Sequence, residues 1–268
     1  MSFIKKILYS APVIGYRRWQ WFFERLYNFS LGGMNIGRAA GIYDDGEIGV
    51  FNYVDSHIKE KTLTIFDVGA NVGLYTEALF KQFGEKASIY SFEPSKKTFA
   101  TLSQNISSNI GNKKSVHLCN IGLGEKESDM ILFSDKDNSG LASLYDRKMD
   151  HFNVSMDKME TVKISTIDIF CRDNNIKNID FLKMDVEGHE LSVLHGAKDM
   201  LAKKAIKYIQ FEFGGNNIDS RTFFQDFYYL LKDDFNLFRV VKDGLYPVFG
   251  YKEDYERFLC TVFFAERK

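Results

Sequence analysis

The chain has 268 residues, 45% of them apolar and 26% charged, with a formal net charge of −1. That length suits one α/β domain with an added segment, and the balanced charge leaves no basic field of the kind nucleic-acid binding needs. The three cysteines, Cys119, Cys171 and Cys260, are scattered and without C-x-x-C spacing, which argues against a disulfide framework or a structural zinc and fits a reducing, cytoplasmic setting.

Residues 1–30 carry Lys5, Lys6, Arg17, Arg18 and Arg25 against one acid, Glu24. Interleaved are Phe3, Ile4, Tyr16, Trp19, Trp21, Phe22, Phe23 and Tyr27. The apolar run after Lys6 is short and lacks a small-residue cleavage site, so the segment is read as retained. No stretch approaches the ~20 apolar residues that span a bilayer. Two roles remain open. One is a helix lying peripherally on the inner face of the membrane, cationic on one side and aromatic on the other. The other is a helical extension packed on the domain or on a second subunit, giving a homo-oligomer. The aromatic positions from Trp19 to Phe23 circle the helix, which favours packing. Residues 31–60 add Gly32, Gly33, Gly37 and Gly41 and a helix-like run ending near Lys59. Residues 1–60 are therefore expected to form a helical extension that caps the site, and residues 61–268 the main domain.

From Thr62 a β-α alternation becomes regular. Strands are predicted at 63–68, 87–92, 115–120, 179–184, 206–212, 235–241 and 258–266, and helices at 73–83, 95–108, 189–202 and 221–232. Such units build a mostly parallel sheet with helices on both faces. Residues 242–256 read as a loop with a turn at Asp243-Gly244, so the last strand is expected to run antiparallel. Between 121 and 178 the alternation breaks. Asp129 to Phe133 and Thr161 to Ser165 read as short extra strands around the polar loop Ser134 to Gly140, a substrate-specific insertion.

In an open α/β sheet the ligand docks beyond the carboxyl ends of the strands. The first such end is Asp67-Val-Gly69-Ala70-Asn71-Val-Gly73. Dinucleotide sites use G-x-G-x-x-G; here Asn71 stands at the middle glycine and an acid precedes the turn. A carboxylate there repels a diphosphate and suits an ammonium group, such as that of the methionine part of S-adenosylmethionine. Glu93-Pro94, about twenty residues on, ends the second strand, where an acid accepts both hydroxyls of a ribose. Asn120, Ile121 and Gly122 follow the third strand, Asp185-Val-Glu187-Gly188 the fourth and Glu212 the fifth. Four of these five ends carry a carboxylate, a clustering that points to function.

These residues are recognisable. Asp67-Val-Gly-Ala-Asn-Val-Gly73, Ser91-Phe-Glu-Pro94 and Leu182-Lys-Met-Asp-Val-Glu-Gly-His-Glu-Leu191 resemble the FkbM-type family of S-adenosylmethionine-dependent methyltransferases. Val193-Leu-His-Gly-Ala197 and Ser165-Thr-Ile-Asp168 are similar to it too. The resemblance covers roughly residues 62–215. It implies a Rossmann-like, seven-stranded class I methyltransferase sheet and O-methylation, typically of a hydroxyl on a sugar or natural product. Carried onto this chain, Asp67, Gly69, Ala70, Asn71 and Gly73 surround the methionine part. Glu93 and Pro94 hold the ribose, and Asn120, Ile121 and Gly122 lie near the adenine.

Methyl transfer from a sulfonium is mainly a matter of alignment, plus removal of the acceptor's proton. In an extended segment Asp185 and Glu187 project to one side and face the sulfonium end. Two versions follow. His189 or Glu187 acts as a general base, or Asp185 and Glu212 hold Mg²⁺ or another hard cation that acidifies the hydroxyl. Lys183 receives no role, being read as pointing away from Asp185 or packing along its strand. The expected activity is O-methylation of a sugar hydroxyl in a glycan or glycolipid precursor. The alternatives are a non-catalytic cofactor-binding or membrane-associated module, and an NAD-dependent oxidoreductase, which the missing G-x-G-x-x-G disfavours.

Overall fold

A computed structural model describes residues 13–37, 41, 46–58, 60 and 62–268; Phe3, Ile4, Lys5, Lys6 and Lys59 lie outside the described residues. The strands are β1 (Leu63–Val68), β2 (Ala87–Phe92), β3 (Val116–Cys119), β4 (Gly122–Leu123), β5 (Ser128–Ser134) and β6 (Lys158–Ser165). They continue as β7 (Ile179–Met184), β8 (Ile206–Phe213), β9 (Phe235–Val241), β10 (Gly244–Pro247) and β11 (Thr261–Arg267). The helices are α1 (Gln20–Gly33), α2 (Glu47–His57), α3 (Leu74–Phe83), α4 (Lys96–Asn109) and α5 (Ile167–Asp173), then α6 (Glu190–His195), α7 (Lys198–Ala202), α8 (Asn216–Ser220) and α9 (Phe224–Leu231).

The main sheet runs β10-β9-β11-β8-β7-β1-β2-β3. Pairings from β3 through β8 are parallel, whereas β11 lies antiparallel between β8 and β9. The expected seven strands are all present, and the antiparallel last strand is where the sequence placed it. There is also an eighth. The segment read as a loop at 242–256 begins with β10, which pairs antiparallel with β9 across the two-residue turn Lys242-Asp243. Pro247, which cannot donate to a ladder, is tolerated because β10 is an edge strand.

Strand alternation divides the core into two faces. Phe66, Val68, Leu182, Met184, Ile209 and Phe211 face α5, α6 and α9. Leu63, Ile65, Ile89, Phe181 and Tyr208 face α2 and α3. Helix α2 is itself a layer of this core: Val50, Phe51 and Val54 are essentially buried, and the Phe51 ring packs edge-on against Tyr75 at 5.0 Å. A boundary near residue 60 would cut through this packing, and α2 lies against a sheet face instead of closing over strand ends.

Helix α1 differs. Leu31 is its single buried residue, although Leu31 and Ile36, just past its end, both enter the core. The irregular stretch 121–178 builds a second sheet, β4-β6-β5, with β5 and β6 antiparallel around Leu132, Val162 and Ile164. The segment Ser165-Thr-Ile-Asp168 starts α5. Thr166 caps it by accepting the Ile169 N–H at 3.0 Å, and the Asp168 carboxylate accepts the N–H groups of Asp199 and Met200 at the start of α7.

The helix predicted over 189–202 divides into α6 and α7 at Gly196. A Cβ there would lie 1.9 Å from the Gly124 carbonyl oxygen, so the chain can pass β4 only without a side chain. Gly196→Ala is expected to cost about 1–3 kcal/mol as an overpacking substitution, a fall in Tm of several degrees by thermal unfolding.

Candidate active site

The site grows from the face shared with α2 and α3. On each central strand the apolar residue of that face is followed, two positions on, by a polar one. Ile65 leads to Asp67, Ile89 to Ser91, Phe181 to Lys183 and Tyr208 to Gln210. Register sets these side by side, Asp67 opposite Ser91 and Lys183, and Lys183 opposite Gln210. The result is one buried polar row. Lys183 Nζ stands 3.1 Å from Asp67 Oδ1 and 3.9 Å from Asp185 Oδ2, and donates to the Gly69 carbonyl at 3.3 Å. Thr76 Oγ1 donates to Asp67 Oδ2 at 2.7 Å and meets Ser91 Oγ at 2.9 Å. Tyr75 donates to Gln210 Oε1 at 3.2 Å, and Gln210 in turn donates to Glu47. Burial pulls the Lys183 pKa down, but Asp67, Asp185 and Glu47 outweigh it and hold it at about 12.

Asp67 is therefore fully buried and already paired beneath the first turn. The turn itself is bare backbone. Gly69 has φ +81, and a Cβ on it would lie 1.9 Å from the Asp185 carbonyl oxygen; Asn71 takes the left-handed conformation at φ 48. The N–H groups of Gly69 and Ala70 both donate to the Phe92 carbonyl, at 3.0 and 2.9 Å. Glu93 accepts the Asn71 N–H at 3.1 Å on one oxygen and the Ser95 N–H at 2.9 Å on the other. Burial, opposed by those two bonds, raises its pKa to about 7. Asn120 ties the next strand end down by donating to the carbonyls of Glu93 and Pro94 at 2.9 and 3.1 Å.

Opposite lies the acidic turn after β7. Glu187 and Gly188 both have positive φ, 52° and 101°. Glu190 closes the turn by reaching back: its Oε1 accepts the N–H of Val186 at 2.9 Å and of Gly188 at 3.3 Å. Burial drives its pKa up to about 8. Glu187 is paired with Arg147, and its pKa stands near 7, raised by burial and by Asp185 and lowered by Arg147. His189 shares a hydrogen bond of 3.0 Å with the Tyr145 hydroxyl through Nδ1, and burial lowers its pKa to about 4. Glu212 is raised well above the usual carboxylate range by burial and by Asp185, Glu187 and Glu190, while Cys260 hydrogen-bonds to it. Asp185 keeps 46% of its side chain exposed.

Between the two turns is a cleft lined by Gly69, Asn71, Glu93, Pro94 and Gly122 on one side and Asp185, Glu187 and His189 on the other. The insertion roofs it with Ser139, Gly140, Ala142 and Leu144. Asn71 donates to the Ser139 carbonyl at 3.1 Å, and Ser143 donates to the Glu187 carbonyl at 2.7 Å. Of the other sequence-predicted residues, Asp67, Ala70, Gly73, Asn120 and Ile121 lie behind this lining, and Glu212 stands beside the acidic turn. Among the described residues no three His, Cys, Asp or Glu side chains are grouped to hold a metal ion.

Three partners were missed. Lys183 was given no role, yet residues two apart on a strand share a side, so its approach to Asp185 was readable. Arg147 and Tyr145 carry no signal, because they reach the site from an irregular loop. Removing Lys183 strands a buried carboxylate. Lys183→Met should cost about 3–5 kcal/mol in urea unfolding, and adding Asp67→Asn should recover most of it.

A parallel sheet closed by an antiparallel β11, with an acid-flanked glycine turn and a second acid at the end of β2, defines an α/β domain of the methyltransferase class. The profile of the methyltransferase FkbM domain matches residues 67–237, and the chain belongs to that family. It is similar to Methyltransferase 1 of Beauveria bassiana, 28% identical over 148 residues, which are 50% of this chain and 58% of that protein. The 2-O-methyltransferase NoeI of Sinorhizobium fredii is 24% identical over 172 residues, 60% of this chain and 68% of the relative. Hexuronic acid methyltransferase AglP of Haloferax volcanii is 28% identical over 142 residues, 53% of each. The chain thus spans little more than half the length of two of these relatives. A crystal structure of methyltransferase FkbM from Methylobacillus flagellatus KT is 15% identical with a TM-score of 0.47, covering 78% of this chain and 45% of that one.

Proposed function

We propose that this chain transfers a methyl group from S-adenosylmethionine to a hydroxyl, that of a sugar in a glycan or glycolipid precursor. The observation that carries this reading is the acidic turn Asp185 to Glu190 set across a cleft from the Gly69–Asn71 turn, with the Glu187 pKa near neutrality. The likeness to NoeI, a 2-O-methyltransferase, and to AglP, a hexuronic acid methyltransferase, supports a sugar acceptor.

The residues present fit the cofactor. Asn71 Oδ1 is buried without a partner, an acceptor at the turn, and the absence of a side chain at Gly69 lets that turn pack directly on the Asp185 carbonyl of the opposite one. Gly69 and Asn71 would hold the methionine part, Glu93 the ribose, and Gly122 the adenine side. When bound, S-adenosylmethionine supplies an electrophilic methyl carbon. Asp67 does not meet its ammonium directly; Lys183 compensates Asp67, and the exposed carboxylate of Asp185 is the negative group that faces the cleft. Glu187 takes the proton from the acceptor hydroxyl as that oxygen attacks, since a base with a pKa near 7 is matched to neutral pH. Arg147, between Glu187 and Asp219, keeps its carboxylate oriented. His189 is too weak a base at about 4 and instead anchors Tyr145. The hard-cation version has two carboxylates and no third ligand of the usual types among the described residues, so no step is assigned to a metal. The free cysteines support a cytoplasmic location.

At saturating cofactor, Glu187→Gln should lower kcat by about 10²–10⁴-fold and remove a rise in kcat with pH through about 7, with excess chelator leaving the native rate intact. Unchanged kcat in the variant, or loss of turnover in chelator, would return the choice to His189 or to a cation. Glu93 gives a separate readout in S-adenosylhomocysteine binding. Only the ionised carboxylate offers both oxygens as charge-assisted acceptors to the two ribose hydroxyls, so affinity should fall as pH falls through about 7. Glu93→Gln should bind about ten- to a hundredfold more weakly with a flat profile. Tight binding of NAD in place of S-adenosylhomocysteine would sink the reading altogether.

A further inference from the structure

Among the described residues, part of the apolar side of helix α1 is left uncovered. At 100° per residue Trp19, Phe22, Phe23, Leu26, Phe29 and Gly33 share one face. Trp21 and Tyr27, both exposed, lie off that face and buried Leu31 lies on the side of Glu24, so aromatic positions reach round the helix while Phe22, Leu26 and Phe29 concentrate exposed apolar surface on one side. Phe22, Leu26 and Phe29 are 43%, 48% and 79% exposed, and Arg25 lies over the Trp21 ring at 5.5 Å. Among the described residues nothing covers Phe22, Leu26 and Phe29, while Trp19 and Phe23 at the same face are partly buried. Among the described residues the helix is fixed at its foot: Leu31 and Ile36 are buried, Asn35 donates to the Val240 carbonyl at 3.3 Å, and the Gly37 N–H donates to the Cys260 carbonyl at 2.8 Å.

We infer that α1 docks the protein on an anionic lipid surface, its Phe22–Leu26–Phe29 stripe entering the headgroup boundary and its arginines meeting lipid phosphates. Charge is segregated accordingly. The first thirty residues carry a net +4, leaving −5 for the rest of a chain whose total is −1. Tyr16, Trp19 and Tyr27 border the stripe, and such amphipathic rings sit at headgroup level. At the foot of the helix a groove lined by Gly33 and Met34 carries Arg239, Lys252 and Arg257 against Asp243 and Asp254. The Arg239 Nε has no hydrogen-bond partner there. A second copy of the chain is a poorer occupant. One face of a 14-residue helix is about 21 Å long and about 10 Å wide, far below the roughly 800 Å² per partner of a stable interface. The foot also adjoins the site, since Cys260 meets both Gly37 and Glu212. Docking would therefore bring the acidic end of the cleft near the lipid, suiting a lipid-borne acceptor. The surface itself does not depend on the methyl-transfer reading.

Both tryptophans of the chain, Trp19 and Trp21, lie in or beside this helix, so intrinsic tryptophan emission reports on it directly. The full chain should co-sediment with phosphatidylcholine vesicles containing about one third phosphatidylglycerol, with a blue-shifted emission. Binding to pure phosphatidylcholine should be at least about tenfold weaker. Phe22→Ser/Leu26→Ser/Phe29→Ser should reduce partitioning by about a hundredfold or more, and Arg17→Gln/Arg18→Gln/Arg25→Gln by about a hundredfold at low salt. S-adenosylhomocysteine binding by both variants should be unchanged, which separates this surface from the cleft. No partitioning of the native chain, equal partitioning onto both vesicle types, or a concentration-dependent dimer that the apolar variant converts to monomer would each overturn the proposal.

Discussion

A buried charge must find a partner inside the protein, and the site depends on how this chain meets that demand across four strands. Ser91, Asp67, Lys183 and Gln210 form a row at the carboxyl end of the sheet. Lys183 is the only cation in that row, and it faces Asp67, Asp185 and the Gly69 carbonyl together. The same ammonium therefore neutralises the acid of the first motif, restrains the acid of the last one and supports the glycine turn between them. One side chain thus bridges the two halves of the cleft, beside the direct pairing of β1 with β7.

The acidic turn solves a related problem with backbone. Asp185 is close enough to raise the pKa values of Glu187, Glu190 and Glu212, and Glu187 and Glu190 add to the rise at Glu212. Each has a different outlet: Glu190 on the N–H groups of its own turn, Glu187 on Arg147, Glu212 on Cys260, and Asp185 in solvent beside Lys183. Environment thus separates four chemically similar acids into a brace, a near-neutral carboxyl, a strongly protonation-prone carboxyl and an open anion. The spacing Asp-Val-Glu-Gly-x-Glu has a local reason. Positive φ at Glu187 and Gly188 turns the chain back so that the last glutamate can cap the turn it ends.

The insertion completes the enclosure. Its strands stand on their own small core, and its loop reaches the glycine turn through Ser139 and the acidic turn through Ser143, Tyr145 and Arg147. Both turns are thereby held from above as well as from below. Side chains from this segment and from the roof of the cleft are the ones placed to distinguish acceptors, in keeping with the function of irregular loops on a regular scaffold.

Most of the fold was legible because strand and helix periods are local. The seven main strands, the antiparallel last one and the glycine turn all follow from short-range patterns. What failed locally was small: β10, a four-residue edge strand; the break at Gly196, forced by a carbonyl 1.9 Å from any Cβ; and α5, which is seven residues long. The sequence by itself determined which residue types stand at the strand ends, since alternation and turn chemistry are properties of consecutive residues. Only tertiary structure decided their pairing. Asp67 is spent on Lys183, 116 positions away, His189 is held by Tyr145, and Glu187 by Arg147. Register between strands and the path of an irregular loop set those contacts, and neither is written in any local period.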